Sequence, residues 1–478
     1  MTFCLNAKII QGCTVVYLSH QVVEDTKTIP VFIGSYTEDM QGLTLGVRPT
    51  KDGHRSNDPL GEGIYSVKLR CSDSTGCAFN DWQSTLAHNS TNVWDYDMVS
   101  FRYLGKNPAF VKVVPDRAML LATSEFPFGY DPLSASGIQS FNIAVLLSED
   151  ASDHHAVQNF DAMRHEGAQL ATYIDILTEY RGDNSTQYFG VAEYGGAAQQ
   201  FTFDGQGVSD FKVTDWAQAG ENHPHCFRYV PQSILQDDSQ CLALVSDLGN
   251  DIVRQFDCTN GDMKDFEQNL SVTAARHIDF AGNYAIVVSE DGDSSDTDRV
   301  GSDVDSTPQI QSFVYDEVHG HFNPNKYYRT SLLKDSWEED AIKDNSPLYQ
   351  YLVSSNEKTG KKAEFGAKGS DVHVHPTNSS IVYASTRGYD RIVRFHLDSE
   401  TGSLKRMKEF PTSVGGMTGY TPRTFEIVEV EKDNKYVMLV SNQDSSNVSL
   451  FNIHANGDLE GVQVLQTPFP TSTSAYNK

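Results

Sequence analysis

The sequence predicts an all-β protein, a seven-bladed β-propeller with long loop insertions. The first observation is one strand–turn–strand plan that recurs along the chain, and the second is a near absence of helix signals. Three copies have equal length: residues 246–256 (SDLGNDIVRQF), 385–395 (STRGYDRIVRF) and 441–451 (SNQDSSNVSLF). A closed ring in which every blade buries both faces against its neighbours accounts for such repetition.

Four looser copies complete the set of seven. They lie at residues 34–67, 123–141, 192–201 and 289–313. In each copy an apolar strand ends in small or polar residues, and a strand with alternating apolar residues follows a turn. Hairpin signals such as ETGSL and NGDL come next. An ordinary β-sandwich is the alternative, but sandwiches seldom repeat one plan seven times.

The predicted organisation is a single propeller domain over residues 1–478. Residues 1–28 form an N-terminal extension, and an acidic insertion lies around residues 291–308. Further insertions are predicted within residues 38–62, 74–100 and 148–185, and around 333–362. The dipeptide WD occurs once, at residues 94–95 and outside any repeat, which argues against a WD40 propeller.

Charge excludes several classes of partner. The 478 residues include 37 Lys and Arg against 64 Asp and Glu, a formal net charge of −27. This balance argues against nucleic acid or an anionic membrane surface as partner. An anionic substrate would therefore need a locally basic pocket. No stretch approaches the ~18 apolar residues of a membrane span.

Cysteine usage predicts a reduced, cytoplasmic protein. The seven cysteines are odd in number and include no C-x-x-C pair. They therefore indicate neither a disulfide framework nor a zinc site. The first twenty residues lack a long apolar core and a clear small-residue cleavage site. The oligomeric state is left open.

Polar residues gather where the predicted strands meet one end of the ring. The first strand of a blade lines the central channel, and the second strand runs antiparallel to it. The start of the first strand and the end of the second therefore lie at the same mouth of the channel. The starts of first strands supply His223, His225, Arg276, Asp371, His373 and Arg423, and the ends of second strands supply Glu125, Glu193, Glu290, Arg387 and Gln443. Convergent ionisable groups predict a binding or active site. Polar residues that only satisfy one another in a wet channel are the alternative.

Segments that span nearly the whole chain carry a family resemblance. They are VFIGSYTE with GEGIYSVKL, NPAFVKVVPD, VAEYGG, HPHCFRYVP, ARHIDF, SDVHVHP with YASTRGYDRIVRF, and TPRTFEI with LVSNQDSSNVSLFNI. With the repeats, they resemble the lactonase-type seven-bladed propellers, which include bacterial 6-phosphogluconolactonase and the fungal 3-carboxy-cis,cis-muconate lactonising enzyme. Two departures stand out: Ala274 and Ala275 replace the usual Gly-Pro before the arginine, and the loop after Glu290 is long and acidic.

The resemblance implies the roles of nine residues. The implied catalytic residues are His225, Glu290, Arg276 and Arg387. The implied substrate-binding residues are His223, Asp371, His373, Arg423 and Gln443. It implies no cofactor and no metal. Cys226 adjoins His225, but neighbours on a strand point to opposite faces, so we expect a buried thiol rather than a Cys–His nucleophile.

Three functions remain, and a cycloisomerase that forms a lactone from an unsaturated polycarboxylate is favoured. The long insertions and N-terminal extension look more like eukaryotic members, and eukaryotic phosphogluconolactonases generally resemble another family. In this reaction Arg276 and Arg387 clamp carboxylates while Glu290 or His225 moves a proton. The first alternative is a 6-phosphogluconolactonase-type hydrolase of a sugar lactone, in which His225 or Glu290 activates water. The second is a non-catalytic propeller that binds a metabolite or a protein.

Overall fold

The chain forms a closed ring of seven antiparallel sheets, as the sequence predicts. The computed structural model describes residues 6–10, 13–17, 27–36, 64–72, 76–79, 99–101, 108–124, 137–143, 161–163, 170–177, 187–203, 211–218, 223–235, 237, 239–259, 261–291, 307–350, 367–431 and 435–477. Outside the ring, β1 (Asn6–Ile10) and β2 (Cys13–Tyr17) pair as a hairpin within the predicted N-terminal extension.

The strands of the ring follow one another in sheet order. In chain order they are β3 (Lys27–Ser35), β4 (Ile64–Ser72), β5 (Gly76–Phe79), β6 (Val99–Phe101), β7 (Pro108–Val114), β8 (Met119–Ser124), β9 (Gly137–Asn142), β10 (Asp161–Met163), β11 (Ala171–Leu177), β12 (Gln187–Glu193), β13 (Ala197–Phe203), β14 (Phe211–Gln218), β15 (Pro224–Tyr229), β16 (Leu242–Asp247), β17 (Ile252–Asp257), β18 (Lys264–Asp265), β19 (Leu270–Ser271), β20 (Ala275–Ala281), β21 (Tyr284–Ser289), β22 (Gln309–Asp316), β23 (His321–Ser331), β24 (Lys368–His375), β25 (Asn378–Arg387), β26 (Arg391–Leu397), β27 (Leu404–Pro411), β28 (Pro422–Glu431), β29 (Lys435–Asn442), β30 (Asn447–Ile453), β31 (Leu459–Gln466) and β32 (Pro470–Ala475). The structure also describes an α-helix, α1 (Trp337–Lys343), and the 3-10 turns Pro115–Arg117 and Leu248–Asn250.

Six blades are continuous in sequence and begin with β7, β11, β15, β20, β24 and β28. The seventh blade is shared, because β32 pairs with β3, and β4 and β5 complete its sheet. Each blade thus has one innermost strand, and the seven innermost strands contact one another in a cycle around a central channel. All of them start at the same end, which we call the near mouth, and run toward the far mouth.

Packing between blades depends on close approach of large and small side chains. The Phe227 ring of β15 is fully buried and lies against Gly190 of the preceding blade. A Cβ at Gly190 would stand 2.0 Å from that ring, so only glycine fits there. Burial of a phenylalanine side chain contributes about 1.5–3 kcal/mol. Such seams hold adjacent blades rigidly and so fix the channel.

Two sequence-based expectations are wrong. Cys71 pairs with Cys77 and Cys241 with Cys258 as disulfides, whereas the sequence predicted reduced thiols. The apolar run of β11 is an innermost strand, although it lies inside the insertion predicted at residues 148–185. Cys226 is a buried free thiol, as expected.

Several predicted features fall partly or wholly beyond the described residues. The insertion at 38–62 and most of those at 74–100 and 291–308 lie outside them, and so does Glu125. The predicted insertion around 333–362 is described as far as residue 350 and contains α1, whose Trp337 is buried. Among the described residues there is no helix with the length and apolar character that crossing a bilayer requires.

Candidate functional site

A β-bulge near the start of each innermost strand redirects one side chain. In β15, Pro224 pairs with Asp247 and Cys226 with Ser246, which leaves His225 as the extra residue. Arg276 in β20 and Arg423 in β28 occupy the same bulged position. A bulged residue leaves the strict in–out alternation of a strand and re-aims its side chain. The repeated bulge therefore brings His225, Arg276 and Arg423 to the near mouth.

Glu290 is held by cations from two blades. Its Oε2 lies 3.1 Å from Arg276 Nε and 2.9 Å from Arg387 Nη2, and its Oε1 lies 3.5 Å from Lys368 Nζ. Burial alone would raise the pKa of Glu290, but Arg387, Lys368 and Arg276 hold it below its usual range. Glu290 is therefore ionised at neutral pH, and it fixes the arginines rather than supplying a proton.

The two arginines keep part of their donor capacity. Arg276 donates from Nη1 to the carbonyl and the Oγ of Ser370, while Arg387 donates from Nη2 to the Gly369 carbonyl. The buried Nε of Arg387 has no hydrogen-bond partner among the described residues. Burial and the neighbouring Arg387 lower the pKa of Arg276 to about 9, so its guanidinium stays charged at neutral pH. The site can therefore donate to an anionic ligand.

Lys368 makes the near mouth more basic than the sequence indicated. This residue begins β24 opposite Arg387 and also lies 3.1 Å from the Asp291 carboxylate. Sequence reasoning missed it, although its place at the start of an innermost strand was a usable signal. Three cations, Arg276, Arg387 and Lys368, thus face the Glu290 carboxylate. This is the locally basic pocket that an anionic substrate requires in a chain of net charge −27.

His225 lies beside the arginine cluster as a neutral imidazole. Burial, followed by the charges of Arg276 and other neighbouring groups, lowers its pKa well below the ordinary value. Its Nδ1 is buried and has no hydrogen-bond partner within the described part of the chain. A neutral imidazole with a spare ring nitrogen can accept a proton from a bound water.

Three of the other predicted residues line the rim of the site. His223 stacks on the Tyr194 ring with 4.2 Å between centroids, and its Nδ1 lies 2.9 Å from the Tyr194 carbonyl. Arg423 lies over the Tyr36 ring at 5.1 Å. Gln443 follows β29, and its Oε1 is buried without a hydrogen-bond partner in the described residues. Their roles in substrate binding stay predictions.

Asp371 and His373 lie deeper in the channel, with a histidine that sequence reasoning missed. His277 Nδ1 lies 2.6 Å from Asp371 Oδ1, and His373 Nε2 lies 3.3 Å from Asp371 Oδ2. Asp371 also accepts the backbone N–H of Phe425 at 2.9 Å. Strict alternation would send His277 away from Arg276, but the bulge between Ala275 and His277 lets both side chains face the channel.

The donor set of the channel differs from a metal site. Among the described residues, no group of three or more His, Cys, Asp or Glu side chains is placed to hold a metal ion. The Glu290 carboxylate instead faces a guanidinium and an ammonium, and the Asp371 carboxylate faces an imidazole.

Fold and site together define a class: a seven-bladed propeller whose central channel opens on a buried arginine–glutamate cluster beside a neutral histidine. The family model described as lactonase, 7-bladed beta-propeller, matches residues 103–473. The chain belongs to this lactonase family, as the resemblance implies. No curated protein matches the sequence.

Similar solved structures share the fold at low sequence identity. A protein from Lactobacillus plantarum is 16% identical with a TM-score of 0.59, over 94% of this chain and 99% of that one. A putative 6-phosphogluconolactonase from Bacteroides fragilis is 15% identical with a TM-score of 0.57, over 94% and 98%. A periplasmic gluconolactonase from Pseudomonas aeruginosa is 15% identical with a TM-score of 0.58, over 94% and 99%.

Proposed function

We propose that this protein hydrolyses the lactone ring of a small anionic sugar acid at the near mouth of its channel. The observation that carries the proposal is the Nδ1 of neutral His225, which has no hydrogen-bond partner among the described residues and lies beside Arg276 and Arg387. One similar solved structure is described as a putative 6-phosphogluconolactonase and another as a periplasmic gluconolactonase, which supports the same reaction class. The basic mouth suits a substrate that carries a phosphate or carboxylate.

Each group has a role in this reaction. His225 accepts a proton from water as the water oxygen bonds to the lactone carbonyl carbon. Arg387 and Arg276 stabilise the oxyanion that forms there. The ring C–O bond then breaks, the leaving oxygen takes the proton of the newly formed carboxyl group, and the products are a hydroxyl and a carboxylate. The net reaction releases one proton, which is the one that His225 took from water.

Lactone-forming cycloisomerisation is the second candidate, although the sequence analysis favours it. Addition of a carboxylate across a double bond requires a proton donor for carbon. Neutral His225 and ionised Glu290 both lack the proton that a donor needs at neutral pH. The same two protonation states suit activation of water. The hydrolase is therefore the better fit to the site.

Parallel assays on the purified chain separate the candidates. Hydrolysis of a six-carbon sugar lactone, with and without a 6-phosphate, is followed in a pH-stat after subtraction of spontaneous opening. Loss of diene absorbance from a carboxylated cis,cis-muconate reports cyclisation. We expect turnover only of the lactones, with the phosphorylated one preferred, and a loss in the His225→Gln variant.

Two results would contradict the hydrolase proposal. Turnover of the muconate alone would assign the cycloisomerase. Silence in both assays, with saturable binding of sugar phosphate at the channel, would assign the non-catalytic binding propeller.

The cytoplasmic location stays a prediction, and the structure weakens the argument for it. It depended on reduced thiols, whereas the structure holds two disulfides. Disulfides persist mainly in oxidising compartments, and these two favour such a compartment. Mass spectrometry of the protein, trapped with an alkylating agent on extraction from its native cells, would decide the matter.

A further inference from the structure

A line of ionisable side chains follows the channel from His225 away from the near mouth. The His225 and His277 rings are 5.1 Å apart between centroids. His277 Nδ1 is 2.6 Å from Asp371 Oδ1, and Asp371 Oδ2 is 3.3 Å from His373 Nε2. His373 Nδ1 then lies 3.7 Å from Asp279 Oδ2. These residues come from three adjacent innermost strands, β15, β20 and β24.

The line continues to the far mouth. The other oxygen of Asp279 pairs with Arg228 Nη2 at 2.9 Å, and Arg228 Nε lies 3.3 Å from Asp175. Arg228, Asp175 and Glu426 line a cavity of about 470 Å³. Each of these three is the fifth residue of its innermost strand, which places the cavity toward the end opposite His225. The His373 side chain is 27% exposed, while those of His277 and Asp371 are nearly inaccessible.

Proton affinity differs between the two ends of the line. His225 has a pKa well below the ordinary value because of burial and nearby cations. Burial also lowers the pKa of His277, to about 4, although Asp371 opposes the shift. Burial disfavours a charged His373 too, but there the Asp371 carboxylate prevails and raises the pKa. A proton is therefore held more tightly on His373 than on His225. Burial would raise the pKa of Asp371, but His373 and His277 hold it well below its usual range, so Asp371 only passes the proton on.

The proposed reaction needs such an exit. One proton is released for each lactone opened, and the nearest groups to His225 include Arg276, Arg387 and Arg423, which are already protonated. The product carboxylate would occupy the near mouth beside these arginines. A proton that leaves through the channel passes neither the charged arginines nor the product carboxylate.

We propose that His277, Asp371 and His373 form a proton relay from His225 to the far side of the channel. This inference rests on the proposed hydrolase function. His225 gives its proton to His277 Nε2 through a bridging water, since the two rings share no direct hydrogen bond. His277 gives its Nδ1 proton to Asp371, and Asp371 passes one to His373 Nε2. His373, which faces Asp371 and Asp279, delivers the proton to water at the far side. Each member gains one proton and loses one, and His277 returns to its Nδ1–H tautomer before the next turnover.

The kinetic test uses His373→Gln, with His375→Gln as the matched control. His375 ends the same strand but packs against Tyr436, outside the relay. In weak buffer we expect His373→Gln to lower kcat by about ten- to a hundred-fold, with KM unchanged. Imidazole at tens of millimolar should restore kcat, because it replaces the missing acceptor, and the solvent isotope effect should rise in the variant. The control should behave as wild type in every buffer.

Two kinetic outcomes would overturn the relay. Full kcat of His373→Gln in weak buffer would show that the proton leaves elsewhere. A loss that no imidazole concentration restores would show a purely structural role for His373.

A second readout does not depend on activity. In ¹⁵N NMR of the histidine rings, the relay requires His277 to be neutral with its proton on Nδ1, and His373 to titrate at higher pH than His277. Asp371→Asn should lower the pKa of His373. The Nε2–H tautomer of His277 at neutral pH would refute the relay. If wild type opens no lactone, the proposed function fails, and these spectra alone decide whether the hydrogen-bonded chain exists.

Discussion

Arg387 and Glu290 belong to adjacent blades, yet the Arg387 Nη2 lies 2.9 Å from the Glu290 Oε2. Their side chains are only 3% and 6% exposed. A buried ion pair repays its desolvation cost only in part, and apolar replacements are often as stable. The pair is therefore weak support for stability. Its value lies in holding an arginine fork at the seam between two blades.

Arg387→Ala should weaken binding of an anionic sugar acid by about ten- to a hundred-fold, since a charge-assisted hydrogen bond contributes about 1.5–3 kcal/mol. Arg387→Lys keeps the charge but loses the fork, so we expect an intermediate loss. Calorimetry with the hydrolysis product measures both. Arg394→Ala is the control, because Arg394 lies on a third strand and pairs with Asp458 away from the channel. Equal binding by Arg387→Ala and the control would place the ligand elsewhere.

The dependence of kcat/KM on pH should report the neutral form of His225. Its pKa is lowered by burial and nearby cations, so the working base persists through neutral pH and is lost only on acidification below the usual histidine range. We expect a level profile at neutral pH and a decline on its acid side. His225→Gln should lower kcat by about 10²–10⁴. A midpoint at or above the ordinary histidine pKa would argue against His225 as the base.

Ala274 and Ala275 should respond in opposite directions to replacement by glycine. Ala274 has a φ of 45°, in the left-handed region, where a Cβ costs roughly 1–2 kcal/mol. Ala274→Gly relieves this strain at some cost in unfolded-state entropy, so we expect a gain of up to about 1 kcal/mol in unfolding free energy. Ala275 is a buried strand residue, and Ala275→Gly should cost about 0.5–1 kcal/mol. Denaturant titration of both variants measures the change in unfolding free energy. A change of the same sign in the two variants would contradict this prediction.

Removal of the Cys241–Cys258 disulfide should lower the unfolding free energy by about 2–4 kcal/mol. The pair is separated by 17 positions, and Cys71–Cys77 by six. Because the constraint on the unfolded chain grows with loop length, the double alanine variant of the shorter loop should lose roughly 1 kcal/mol less. Thermal unfolding with and without a reducing agent checks this. Wild type that is insensitive to reduction would contradict it.

The repeated strand–turn–strand plan was enough to predict the ring, because one blade cannot bury both its faces alone. The catalytic candidates also followed from topology, since Arg276 and Glu290 stand at paired ends of β20 and β21. The bulge could not be predicted, because it is a local change of register that residue type does not announce. For this reason the sequence indicated Arg276 but not its neighbour His277.

The disulfides escaped prediction for a related reason. Cys71 and Cys77 face each other directly across β4 and β5. Cys241 and Cys258 flank a pair of strands in which Leu242 opposes Asp257. These pairings depend on hairpin register, and linear spacing alone does not reveal them. The strand β11 was missed because its apolar run falls between long insertions that obscured the repeat.

The shared seventh blade has a consequence for the order in which the chain folds. Ser35 donates a hydrogen bond to the Pro468 carbonyl across 433 positions of sequence. Closing a loop of that size costs on the order of 5 kcal/mol in chain entropy. Until β32 docks, β3 presents an unpaired edge that a strand from another molecule could occupy. The docking of β32, which completes the channel, therefore competes with strand exchange between molecules. A high local concentration of newly made chains favours the exchange.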